Sequence, residues 1–233
     1  MDVQEEIYQD GRYLDKTGGT WHLEDAQFKA RYVQALVESH GLRPQQVCEV
    51  GCGAGGVLAS LAKAWPQTAF RGFDISPQAV ALAQTLTSSR VSFELGDAFK
   101  DSRTFDLALI LDVVEHVEDP FAFLRQCKRR ARYKVFHIPL EISALSALRP
   151  AVLVRSWHDV GHIHPYSLEV ARLSLKQTGH RILDSQLTPV WRQNTRRSLF
   201  HAGANALRRS IEPFSQRWAS RLLGGYSLLV LAE

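Results

Sequence analysis

No apolar run in the sequence approaches the roughly 20 residues needed to cross a bilayer, so a helical membrane span is not expected. The acidic start, Met1 to Glu6, lacks the basic and apolar segments of a secretory leader, which points to the cytoplasm. Cysteine is scarce. Cys48, Cys52 and Cys127 are odd in number and form no paired-thiol spacing, which argues against a disulfide framework or a thiolate zinc site. Internal repeats and low-complexity tracts are also missing. Nor does either charge dominate, since 28 basic and 24 acidic residues leave a net charge of only +4. The arginines are nevertheless uneven. Arg129, Arg130 and Arg132 cluster mid-chain, and Arg192, Arg196, Arg197, Arg208, Arg209, Arg217 and Arg221 crowd the last third. Such clusters suit nucleic acid, acidic lipid or an anionic substrate, but solvated helix faces are the plainer expectation.

With 233 residues and 45% hydrophobic content, the chain suits one α/β domain spanning 1–233. Trp21 to His40 reads as an amphipathic helix with Phe28, Tyr32, Ala35 and Leu36 at helical spacing. Short apolar runs at Gln46–Val50, Ala69–Asp74, Val91–Leu95, Phe105–Leu111 and Ala131–Ile138 then alternate with helical segments. Ser76-Pro77 and Asp119-Pro120 each combine an N-cap with a first-turn proline, opening helices to about Leu86 and Arg130, and Ser167 caps another ending near Gly179. Arg181–Thr188 and Tyr226–Ala232 read as two further strands, and Glu141 to Val154 as helical cover. Alternation of this kind predicts a mostly parallel sheet with helices on both faces.

The informative segment is Glu49-Val50-Gly51-Cys52-Gly53-Ala54-Gly55-Gly56, where a strand runs into a glycine turn and then a helix. Glycine permits backbone angles that other residues resist and lets a ligand approach closely. Beyond the carboxyl end of a parallel strand, such a turn lines the ligand crevice. Gly51, Gly53 and Gly56 also satisfy the dinucleotide pattern G-x-G-x-x-G, with Asp74 placed as a ribose-binding carboxylate. Either reading predicts an adenosine-type ligand.

Further motifs separate the two readings. Gly72-Phe73-Asp74-Ile75-Ser76, Gly96-Asp97-Ala98 and Leu111-Asp112-Val113-Val114-Glu115-His116-Val117-Glu118-Asp119-Pro120 follow in order. With the glycine loop, they make the chain resemble the class I S-adenosylmethionine-dependent methyltransferases, in particular the small-molecule "type 11", ubiquinone-methyltransferase-like group. The resemblance implies a Rossmann-like seven-stranded sheet of order 3-2-1-4-5-7-6 with strand seven antiparallel. It implies S-adenosylmethionine as cofactor and S-adenosylhomocysteine as product. Cys52, Gly55 and Ile75 would line the cofactor site, and Gly51 and Gly53 would admit its methionine portion. Glu49 would support the turn or the cofactor ammonium, and Asp74 would hold the ribose. Asp97 and the Ala98 amide would meet the adenine, and Leu111 and Asp112 would present backbone near the ammonium.

Methyl transfer from a sulfonium is an in-line displacement from an activated donor, so positioning supplies much of the catalysis. A base is needed only for a protonated acceptor. His116 is one candidate, and His158, His162 or His164, in Trp157 to Ser167, are others. Asp112, Glu115 and His116 are alternatively a set of ligands for a divalent metal, as some relatives use an acidic-x-x-Glu-His cluster. Residues 141–166 would form an acceptor-side insertion. Residues 1–40 would form a helical cap, in which Tyr8, Tyr13, Trp21 and His22 exclude water.

A small organic acceptor is expected, with oxygen ahead of nitrogen as the methylated atom. Rivals are an RNA or tRNA methyltransferase using the arginine-rich end, a nicotinamide-dependent oxidoreductase, and a cofactor-binding protein without turnover. Against the first stands the missing Asn/Asp-Pro-Pro-aromatic motif, and against the second the missing Tyr-x-x-x-Lys pair.

Overall fold

The computed structural model describes residues 23–193 and 199–233. The expected cap residues Tyr8, Tyr13, Trp21 and His22, together with Arg196 and Arg197, lie outside them. Helix α1 (Leu23–Ser39) leads into β1 (Gln46–Val50), α2 (Gly56–Ala64), β2 (Ala69–Asp74), α3 (Pro77–Gln84) and β3 (Val91–Leu95). A short 3-10 turn at Ala98–Lys100 precedes β4 (Phe105–Leu111), α4 (Pro120–Arg130) and β5 (Ala131–Leu140). Then come α5 (Ala144–Ala147), α6 (Ala151–Val160), α7 (Leu168–Gln177), β6 (Ile182–Thr188), α8 (Leu199–Ile211), α9 (Gln216–Leu223) and β7 (Tyr226–Ala232).

The seven strands form one sheet of order β3-β2-β1-β4-β5-β7-β6. β1 to β5 pair in parallel, while β7 runs antiparallel to both β5 and β6. The order and the antiparallel β7 are those the resemblance implies.

Pleating sorts alternate residues of each strand to opposite faces. On β4, Ala108 and Ile110 enter one core with Phe136, Leu124, Ala171 and Leu175, beneath α4 and α7. Leu107, Leu109 and Leu111 enter the other with Val33, Leu58 and Leu61, beneath α1 and α2. Both faces are therefore dry, which explains why the central strands read as continuous apolar runs.

Caps occur where the residue types demand them. Ser76 accepts from the Ala79 amide, Asp119 from Ala122 and Ser167 from Val170, with Pro77 and Pro120 at the first helical positions. Several boundaries differ from expectation. Helix α3 stops at Gln84 rather than Leu86, and β5 runs two residues past Ile138 because its antiparallel pairing with β7 extends to Leu140–Tyr226. On α1 the expected Phe28 and Leu36 are buried together with Ala26, Ala30, Val33 and Val37, Tyr32 is half-buried, and Ala35 is exposed. The cover after β5 begins later than Glu141 and runs on to Val160, so Trp157 and His158 sit on a helix rather than in a loop.

Candidate functional site

The strand order reverses between β1 and β4, and in open α/β sheets a crevice opens at that switch beyond the strand carboxyl ends. Here it is a cavity of about 340 Å³. Its lining includes Glu49, Gly51, Cys52, Gly53, Leu111, Asp112, His116 and His162, as the sequence predicts, together with Phe28, Lys29 and Val190.

Backbone bonds shape the glycine loop. The Gly51 and Cys52 amides both donate to the Phe73 carbonyl (2.9 and 3.0 Å), tying the loop to β2. Gly55 has φ +77°, and a Cβ there would stand 2.4 Å from the Phe93 ring, so glycine is required for both angle and space. Asp74, buried at the end of β2, accepts from the Gly53 amide (2.8 Å) and the Ser76 amide (2.9 Å). Its carbonyl accepts from Gly96 (2.8 Å), which brings the turn carrying Asp97 and Ala98 against it. Asp97 caps that turn through the Phe99 amide (2.8 Å), Ala98 is buried, and Ile75 is 40% exposed. These four residues stand outside the cavity lining, at the ends of β2 and β3.

The polar end of the cavity holds a charge arrangement that the sequence did not reveal. Lys29 on α1 pairs with Asp112 (2.6 Å), whose other oxygen meets His137 Nδ1 (2.5 Å). His137 Nε2 lies 2.8 Å from Thr188 Oγ1, and that hydroxyl donates to the Ser227 carbonyl (3.2 Å). Asp112 itself has φ +55°, a left-handed conformation that Asp and Asn tolerate best after glycine. Burial opposes its charge, but His137 and Lys29 prevail and hold the carboxyl well below the usual range. Beside it, Glu49 is buried and its Oε2 has no hydrogen-bond partner. Burial, only partly relieved by the Lys29 charge, pushes the Glu49 carboxyl up from 4.5 to about 8.

That shift has a testable sign. A carboxyl with a raised folded-state pKa contributes stability that is complete below its unfolded value and is lost as pH rises through the folded one. Glu49→Gln, which holds the neutral shape, is therefore expected to stabilise the ligand-free protein by about 3 kcal/mol at pH 7 and by almost nothing near pH 4. Urea denaturation of both proteins across that range checks it. An equal gain at every pH would locate the effect in packing instead of charge.

A second cluster gathers around His116 and His162. His116 Nδ1 meets the Gly161 carbonyl (3.0 Å); a carbonyl only accepts, so the ring proton sits on Nδ1, while Nε2 lies 3.8 Å from Glu115 Oε1. Burial, reinforced by His162, lowers His116 to about 4 and keeps it neutral. His162 Nδ1 lies 3.0 Å from Glu141 Oε1, and Ser156 also donates to that carboxylate. Despite burial, the His162 and Ser156 contacts hold Glu141 below the usual carboxylate range. Glu115 is fully enclosed and neither oxygen has a hydrogen-bond partner, Oε1 lying 3.8 Å from His116 Nε2 and 4.0 Å from His162 Nε2; burial, with Asp112 nearby, drives its carboxyl well above the usual range.

Glu115, His116 and His162 offer ligand atoms within 4.8 Å of one another. Asp112, expected as a metal ligand, is not in this group, since its two oxygens face Lys29 and His137. His158 is exposed on α6 and does not line the cavity, and His164 Nε2 lies 3.3 Å from the Glu118 carbonyl. Lys29, His137 and Glu141 escaped the sequence reading. Each carried a faint signal: a lone cation within the inward stripe of α1, a histidine within an apolar strand, and an acid just after β5.

Comparison with known proteins places this site in context. Residues 48–133 match the profile of a family described as a methyltransferase domain. Norajmaline N-methyltransferase from Rauvolfia serpentina is 36% identical over 98 residues, which cover 38% of this chain and 33% of that protein. Ubiquinone biosynthesis O-methyltransferase from Xanthomonas oryzae pv. oryzae is 33% identical over 105 residues, covering 42% of each chain. The chain thus spans about a third to under half of these curated relatives. The crystal structure of magnesium protoporphyrin IX methyltransferase from Synechocystis, with bound S-adenosylhomocysteine, matches with a TM-score of 0.64 at 19% identity, covering 99% of this chain and 97% of that one.

Proposed function

We propose that the protein methylates a small organic acceptor with S-adenosylmethionine, at oxygen before nitrogen; the match of residues 48–133 to a family described as a methyltransferase domain and the sheet order around the cavity support this. The observation that carries the reading is the polar end of the cavity, where Glu49, Asp112 and Lys29 meet at the end of β1 and β4. An amino-acid head group bears both charges, and this end supplies both signs. The unpartnered Glu49 Oε2 fits an ammonium, whose arrival would favour the ionised carboxylate and release a proton. Asp74 would hold the ribose hydroxyls, and the Asp97-Ala98 turn beside it would meet the adenine.

When bound, the cofactor supplies an activated methyl group on sulfur. The protein's residues hold the acceptor and handle its proton. His162 lines the cavity with Nδ1 directed at Glu141 and Nε2 4.0 Å from Glu115 Oε1, and Nε2 would take a proton from an acceptor hydroxyl. Neutral His116 next to it, 4.7 Å between ring centroids, orients the acceptor. A second reading has support in Glu115, whose oxygens make no hydrogen bond: a divalent ion held by Glu115, His116 and His162 would satisfy them and lower the acceptor pKa.

Thermal stability tests the cofactor assignment. S-adenosylhomocysteine at ~100 times its dissociation constant is expected to add about 2.7 kcal/mol, roughly 5–10 °C in midpoint, whereas NAD and NADP add nothing. Asp74→Ala, which strips the Gly53 and Ser76 amides of their acceptor, should abolish the response. Stabilisation by a nicotinamide nucleotide alone would overturn the proposal.

A further inference from the structure

Residues 189–223 hold seven arginines and one acid, Glu212, a local charge of +6 against +4 for the whole chain, so everything else sums to −2. The protein's positive excess is therefore confined to this segment. Its described part is a 3-10 turn at Val190–Arg192 followed by α8 and α9, which form a helical hairpin between β6 and β7. Arg208 is spent internally, bonding the Gly224 and Leu223 carbonyls and Asn205, and Arg192 pairs with Glu212. Arg217 and Arg221 are exposed, the latter paired with the exposed Glu169, and Arg209 is exposed with its guanidinium over the Trp191 ring (5.7 Å).

Apolar side chains accompany them. On α9, Ala219 and Ser220 turn inward and are buried. The outward surface carries two parallel stripes at i, i+4 spacing, Arg217 with Arg221 and Trp218 with Leu222. Phe214 in the turn extends the apolar stripe by the same spacing and is 89% exposed; Trp218 is 57% and Leu222 41% exposed. Leu207 on α8 and Leu148, just past the α5 helix that packs on α9, are also exposed. Solvated basic faces do not need large apolar groups standing in water, and single-stranded nucleic acid would use the rings but not the leucines.

We propose that the α8–α9 hairpin docks the protein on an anionic phospholipid surface. Phe214, Trp218 and Leu222 enter the headgroup boundary while Arg209, Arg217 and Arg221 meet lipid phosphates. Tryptophan suits such a depth because its ring is apolar and its N–H polar, and arginine gains from the negative surface potential. The hairpin lies on the surface and does not span it; no described helix is long and apolar enough to cross a membrane.

Sedimentation of the whole protein with vesicles tests this. Binding is expected to phosphatidylcholine vesicles containing phosphatidylglycerol and not to pure phosphatidylcholine. Phe214→Ser with Trp218→Ser, and separately Arg217→Gln with Arg221→Gln, should each weaken it ~10-fold or more. The thermal response to S-adenosylhomocysteine should be unchanged in both, which certifies the fold. No binding to anionic vesicles at low salt would overturn the proposal, as would binding that survives both double variants. Capture of short single-stranded RNA in preference to anionic vesicles would overturn it in favour of nucleic acid.

Discussion

Asp112→Asn is expected to destabilise the ligand-free protein by about 2–4 kcal/mol at neutral pH, because it leaves two buried partners uncompensated. Lys29 is enclosed with only a fifth of its side chain exposed, and Asp112 keeps a quarter of its own open to the cavity. Burial opposes the Lys29 charge, but Asp112 overrides it and raises the amine to about 12. Asparagine keeps a single carbonyl oxygen, so only one of Lys29 and His137 retains an acceptor and the other meets the amide NH2, while the compensating charge is lost to both. Asparagine retains the shape and tolerates the left-handed backbone at φ +55°, so the substitution isolates charge from strain. The pH dependence follows from the direction of the shift. A carboxyl whose folded pKa is depressed contributes stability above its unfolded value, near 3.9, and loses it as pH falls towards the folded one. The gap between the two proteins should therefore be full at pH 7 and narrow steadily in acid. Urea titrations at both pH values measure it; equal stabilities at pH 7 would mean that Lys29 and His137 are solvated without Asp112.

His162→Ala is expected to lower kcat for a hydroxyl acceptor by ~10²–10⁴-fold while leaving S-adenosylhomocysteine affinity within about twofold. The ring lies on the side proposed for the acceptor, so its loss would remove the proposed proton acceptor but not the cofactor contacts proposed around Glu49 and Asp74. Glu141→Gln retains a partner for Nδ1 but removes the charge, and should shift the pH–rate profile with a smaller loss in kcat. Single-turnover rates with a phenolic acceptor distinguish the readings. A rate insensitive to His162→Ala removes the base role. Activity lost to a chelator and restored by a divalent ion would instead favour the metal reading of Glu115, His116 and His162.

The strands were legible because each is a short apolar run ended by turn residues. Gln46–Val50, Ala69–Asp74, Val91–Leu95, Phe105–Leu111 and Tyr226–Ala232 coincide with the strands observed. The capped helices were legible for a similar reason: Ser76-Pro77 and Asp119-Pro120 place the cap and the fixed φ side by side. Helices α8 and α9 were not. Gly203, Pro213 and interleaved arginines and serines blur the helical period there, and contacts to Gly224 and Leu223 hold the hairpin in place. Ala35 was assigned inward because its spacing allowed it, but packing against α2 selected a neighbouring stripe on α1.

Sequence alone determined the strands, the helix caps and the glycine loop, because period, capping and turn chemistry act between residues a few positions apart, whereas the strand order was implied by the resemblance. Tertiary structure decided which charged groups share the cavity. Lys29, Asp112, His137 and Thr188 come from α1, the end of β4, β5 and β6, and Glu141 reaches His162 only because α6 folds back between them. Charge pairing depends on distance in space and on exclusion of water, and neither is encoded in spacing along the chain.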